Sequence, residues 1–184
     1  MAVKPVITIA DSRLYQVSEP VKKFDREVRS LVRDMFDSMN AEGGVGLAAV
    51  QIGVLKRVLV IDLLEKGFIK GAFINPRLLE ASEEMQQGDE GCLSVPGISA
   101  QLARPRWIKL AYQDLSGAEK TVEGEMLLAR AFLHEMDHLD GKIFVDQLEP
   151  KLHQTIAGDI DLIKRGLPVE HYTEPKYRRA KKTA

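Results

Sequence analysis

The chain has one cysteine, Cys92, in 184 residues. A single thiol cannot close an internal disulfide, which excludes a disulfide-stapled secreted domain and fits a reducing compartment. No stretch approaches the ~18 apolar residues of a membrane span. The opening "MAVKPVITIADSRLY" also lacks the continuous apolar segment of a secretory signal. A cytoplasmic protein with no membrane partner is the expectation. Charge of one sign is missing too. There are 26 basic and 27 acidic side chains, so no overall field draws the chain to nucleic acid or to an anionic surface. Repeats and low-complexity linkers are absent. With 45% hydrophobic and 29% charged residues, the composition is that of a globular protein, and the length suits one domain.

Within that domain, apolar residues at Phe24, Val28, Leu31, Val32, Met35 and Met39 recur at helical spacing and stop before Gly43 and Gly44. "KRVLVID" reads as a strand, "GAFINP" as a second one ended by Pro76, and "RLLEASEEMQQ" as a third with weaker alternation. "RWIKLAYQD" and "AEKTVEG" flank "LSG" as a hairpin would. "GEMLLARAFLHEMDHLDG" carries the strongest helical pattern, with Gly141 placed for a C-terminal cap. A last helix is predicted from about Pro150 to Lys164. The order predicts one α+β domain over residues 1–171. The end, "KYRRAKKTA", has five basic residues and no acidic one, and residues 172–184 are expected to form a basic, flexible tail.

"HEMDH" places His134 and His138 four residues apart, so a helix stacks both imidazoles on one face. Glu135 lies about 100° round that helix, beside the ligands rather than among them. A catalytic metal site uses three protein ligands and leaves a position for water. No histidine follows at the spacing a longer motif needs, so Cys92 in "GDEGCLSVPG" is the best third ligand; a thiolate suits a borderline divalent ion. Two rivals remain open at this point. Cys92 could be a nucleophile with a histidine base. A closed structural site could add Asp137, Asp140 or His153 as a fourth ligand. In "GGVGLAAVQIG" the glycines do not form a phosphate loop, because no G-K-[ST] follows. Gln51 is its one polar side chain beyond Val45, and it reads either as an amide donor to a developing oxyanion or as a turn cap.

Taken together, "GVGLAAVQ", "EGCLS" and "HEMDHLDG" resemble the three signature motifs of peptide deformylases, in family order, with the likeness running from the N-terminal helix to about Leu148. The resemblance implies an α+β fold of mixed, mainly antiparallel sheets packed around a central helix carrying the H-E-x-x-H motif, with N- and C-terminal helices. It implies a metal-dependent hydrolase that removes the formyl group from N-terminal formyl-methionine. Cys92, His134 and His138 then match the metal ligands, and Glu135 the general acid/base. Gln51 and the Leu93 N–H match the groups that steady the formyl oxygen. Gly46 matches the substrate-pairing backbone, and Val45, Leu127 and Ala131 match the methionine pocket. The implied ion is ferrous iron, with zinc, nickel or cobalt able to use the same ligands. The implied partners are N-formylmethionyl nascent polypeptides, with a transient ribosome contact through the C-terminal helix and tail. A monomer is expected.

Overall fold

The computed structural model describes residues 3–169; the expected tail, 172–184, and the last two residues of the expected domain lie outside them. Helix α1 (Arg26–Ala41) starts where Asp25 accepts hydrogen bonds from the Glu27 and Val28 amides, a cap for amides that have no partner inside the helix. Strands β1 (Gly46–Ala48), β2 (Val58–Asp62), β3 (Lys70–Ala81), β6 (Trp107–Gln113) and β7 (Glu119–Glu125) form one sheet in the order β1-β2-β3-β6-β7. Strands β4 (Met85–Cys92) and β5 (Val95–Pro105) form a separate hairpin. Helices α2 (Met126–Leu139) and α3 (Pro150–Lys164) complete the described chain.

The apolar run of β2 is explained by burial on both faces. Val58 and Val60 face a core shared with Val28, Val32, Met35 and Met39 of α1. Leu59 and Ile61 face the opposite core with Leu128, Ala129 and Phe132 of α2. Alternation along a strand sends neighbours to opposite faces, so a sheet covered on both sides needs apolar residues at every position.

Helix α2 is likewise covered on two sides, but by different chemistry. Ala129, Phe132 and Leu139 belong to the core beneath the sheet, and the Phe132 ring meets Phe73 of β3 edge to face at 4.7 Å. Arg130, His134 and Asp137 project from the other side and bond to the β4–β5 hairpin. Its far end is closed by Gly141 at φ 71°, the left-handed conformation that glycine adopts at a helix end without penalty.

Three expectations are corrected. The sheets are not mixed: every strand pair is antiparallel, and the only parallel pairing among the described residues is an isolated bridge, Glu19 with Lys56. The metal-ligating group is not the H-E-x-x-H motif of one helix. It is Cys92 with His134 and His138, so the hairpin supplies one ligand beside the two on the helix, and Glu135 of the motif is not in the group. Pro76, finally, does not end a strand. β3 runs through it, with a register shift between Ile74 and Arg77, an irregularity that tolerates a residue without an amide hydrogen. Asn75 takes φ 50° there and bonds through its side chain to both backbone groups of Val21. No helix of the described residues is long and apolar enough to cross a membrane.

Candidate active site and metal centre

Cys92 ends β4, and the two-residue link Leu93–Ser94 returns the chain into β5. That turn lies over the polar side of α2. The Cys92 Sγ is 3.2 Å from His138 Nε2, and Cys92, His134 and His138 bring their ligand atoms within 4.8 Å of one another. His134 Nδ1 lies 2.9 Å from Glu90 Oε2. Donation from Nδ1–H to that carboxylate fixes the tautomer with Nε2 as the free ligating nitrogen, the usual outer support of a metal-bound histidine.

The electrostatics of the centre favour a cation. Burial alone would push His134 down, but the Cys92 sulfur and the Glu90 carboxylate outweigh it and hold the ring well above the ordinary histidine value. Burial, with His134 beside it, pushes His138 well below that value, toward the neutral form that binds metals. Two nitrogens and a sulfur around a point that attracts positive charge fit a borderline divalent ion. The chain therefore has a Cys-His-His site able to hold a divalent metal. Among the described residues no fourth protein ligand joins the group: the Asp137 carboxylate accepts from Arg104 and Gln147, and Asp140 accepts from Arg57.

Beside the ligands, Glu135 is 5% exposed, and its Oε2 is buried without a hydrogen-bond partner among the described residues. Burial, with the Glu90 charge adding to it, pushes its carboxyl up to about 7, against smaller opposing effects of His134 and the Ala48 amide. Gly46 makes this placement possible. A side chain there would begin 2.5 Å from Glu135 Oε1, so only glycine lets the carboxylate lie against β1.

Gln51 lies in the 3-10 turn Ala49–Ile52, placed as the turn-cap reading has it. Its Oε1 accepts from the Ala48 amide at 2.8 Å, capping the turn. That contact orients the Nε2 end toward Ser94 Oγ at 3.2 Å and Cys92 Sγ at 3.5 Å. The N-terminal segment braces the arrangement, since the Ile7 amide donates to Gln51 O and the Ile9 amide to Ser94 O.

The expected residues largely converge. Val45, Gly46, Gln51, Cys92, Leu93, Leu127, Ala131, His134 and Glu135 all line one cleft of about 860 Å³, its open mouth included. His138 is not on the wall; it lies beneath at 1% exposure, against the Cys92 sulfur.

Sequence reasoning missed the charged layer under the ligands. Glu90, with 2% of its side chain exposed, accepts from Arg104 Nε and Nη2 at 2.8 and 3.0 Å and from Arg130 Nη1 at 2.7 Å. Burial would raise this carboxyl, but Arg104 and His134 outweigh it and hold it well below the usual carboxylate range. Removing one partner from such a buried cluster typically costs ~3–5 kcal/mol, because a charge is left uncompensated. Spacing held a partial signal. Glu90 is two residues from Cys92 on a strand, and Arg130 four from His134 on a helix, so each shares a face with a ligand.

Residues 3–154 match the model of the polypeptide deformylase family. The peptide deformylase of Rhizobium meliloti is 40% identical over 184 residues, covering 99% of each chain. That of Rickettsia akari is 39% identical over 174 residues, covering 91% of this chain and 99% of its own. Among solved structures, a peptide deformylase from Legionella pneumophila superposes with a TM-score of 0.82 at 36% identity, covering 89% of this chain and 96% of the other. The Ehrlichia chaffeensis peptide deformylase in complex with actinonin gives 0.82 at 38% identity, covering 92% and 100%. Fold, metal-ligating triad and sequence agree: the chain belongs to the polypeptide deformylase family and is a metal-dependent hydrolase that removes the formyl group from N-terminal formyl-methionine, releasing formate.

Proposed function

We propose a division of labour for this reaction among the residues of the cleft. The observation that carries it is the partnerless, buried Glu135 Oε2 beside the Cys92, His134 and His138 group. Those three residues would hold one divalent ion, for which ferrous iron is our choice and zinc, nickel or cobalt are alternatives for the same donors. Such an ion, when bound, polarises the formyl carbonyl and lowers the pKa of water. Glu135 accepts the proton of the attacking water and later delivers it to the leaving amine. A carboxyl near 7 is suited to both transfers, since a useful acid–base group has a proton affinity close to the working pH. Gln51 Nε2 and the Leu93 N–H donate to the oxygen on which negative charge develops; each donor of this kind is worth ~3 kcal/mol in the transition state. The Gln51 amide meets the requirement for preorganisation because its other end is committed to Ala48. Gly46 pairs with the substrate backbone, and Val45, Leu127 and Ala131 receive the methionine side chain.

Formate release measures this directly. Protein purified anaerobically, with its metal quantified, is expected to hydrolyse formyl-Met-Ala with formate equal to free amine. It should leave acetyl-Met-Ala essentially untouched, selectivity that would follow from close packing of the glycine strand and the Cys92 turn around the formyl hydrogen. Absence of formate from metal-loaded protein would refute the assignment.

The partner of the C-terminal region is a separate proposal. Helix α3 and the basic residues of 172–184 would contact the ribosome, where new chains emerge. Co-sedimentation with ribosomes across a salt series is expected to weaken on removing residues from Tyr172 onward. The log–log salt slope should fall by roughly 0.7–0.9 for each phosphate that the shortened chain no longer neutralises, while formyl-Met-Ala turnover stays nearly unchanged. Equal binding and equal slopes would reduce the basic end to a solvated one.

A further inference from the structure

We propose that Arg130 is a positioning residue for the metal centre: it sets the separation between the strand that carries Cys92 and the helix that carries the two histidines. The inference rests on Cys92, His134 and His138 being the ligands. The centre is assembled from two elements with no sheet pairing to fix their distance, since β4–β5 is a hairpin apart from the main sheet. Something must fix their spacing.

Arg130 is 5% exposed and sits one helical turn before His134. Its Nη1 donates to Glu90 Oε1 at 2.7 Å and to the Leu102 carbonyl at 2.8 Å; its Nη2 donates to the Gln86 carbonyl at 3.1 Å. One guanidinium thus bonds the backbone of both hairpin strands and the carboxylate that orients His134. Arg104 also bonds Glu90, and it reaches Asp137 of α2, but every one of these contacts is side chain to side chain. Such contacts can follow a sliding backbone by changing rotamer, whereas carbonyls cannot move without moving the strand. The fork geometry matters, because a planar group with several donors can hold three acceptors at once. The opposing strand is shaped to receive it: a side chain at Gly88 would begin 3.0 Å from Arg130 Nη2.

The test uses Co(II) as the only added metal, on wild type, Arg130→Met and Arg130→Lys. Two quantities are read: the visible absorption of the Co(II)-loaded protein, which reports ligand geometry, and the rate of Co(II) release to a chelator well below the unfolding temperature. Arg130→Met is expected to shift the spectrum and to release metal at least 10-fold faster, within the 10–100-fold range usual for outer-shell partners. Arg130→Lys, which can keep one or two of the three contacts, should fall between. Val32→Ala, in the core on the other side of the sheet, supplies a loss of stability that should move neither quantity. Wild-type spectra and release rates within twofold for both Arg130 variants would overturn the inference; if the Met variant does not fold, the Lys variant decides. Cys92→Ser, run alongside, should lose the sulfur-to-cobalt charge-transfer band. If it keeps that band, the ligand assignment falls and this inference with it. If it loses the band while the Arg130 variants match wild type, only the role of Arg130 falls.

Discussion

Glu135→Ala is expected to keep its full complement of metal and to lose deformylation, with kcat lower by at least ~10²-fold, the lower end of what positioned proton transfer contributes. The separation of the two effects follows from placement. Glu135 is outside the ligand group, yet its buried carboxylate has an oxygen with no partner among the described residues. On the proposed roles, removing it takes away the proton carrier without removing a metal donor. Stability should not suffer much, since a buried carboxyl with an unpartnered oxygen is itself a burden. Metal content and turnover need to be measured on the same sample. A variant that keeps a tenth or more of wild-type kcat would rule out Glu135 as the proton carrier.

The second large effect is expected from Cys92→Ser. The variant should fold, because the hairpin and the core residues around Val95 and Ile98 are untouched. It should lose most of its bound metal on dialysis against a chelator, and its activity with it. A neutral hydroxyl is a poor substitute for sulfur on a borderline divalent ion, and the Ser94 and Gln51 groups that approach Sγ at 3.4 and 3.5 Å would meet a shorter side chain. Unchanged metal stoichiometry would count against Cys92 as a ligand. An acyl adduct trapped on Cys92 of the wild type would favour the nucleophile reading instead.

Much of the candidate site can be read in the sequence because its signals are local. His134 and His138 share a face on any helix, and "GVGLAAVQ" presents one amide in an otherwise apolar loop. Periodicity alone places helix α3 at Pro150–Lys164. What escapes depends on register. Strand β5, "VPGISAQLARP", has no clean alternation, because part of its inner side faces the charged layer rather than a core. Arg104 meets Glu90 only once β4 and β5 are paired, and no spacing in the chain announces that pairing. The strand break expected at Pro76 fails for a related reason. A proline forbids one ladder hydrogen bond, not a strand, and Asn75 supplies tertiary bonds to Val21 that carry the irregularity.

The hairpin β4–β5 stands outside the main sheet, and a two-stranded ribbon has little stability of its own in water. An ion gripped at once by its tip and by α2 therefore belongs to the folding equilibrium as well as to the chemistry. Any ligand that binds the native arrangement and not the unfolded chain adds RT ln(1 + [L]/Kd), about 1.4 kcal/mol for each tenfold excess over Kd. The coupling is reciprocal. Metal scarcity in the cell would loosen the ribbon first, and a loosened ribbon would in turn surrender metal more readily. Supply of the ion would then govern how much competent enzyme exists, beyond how fast each copy turns over.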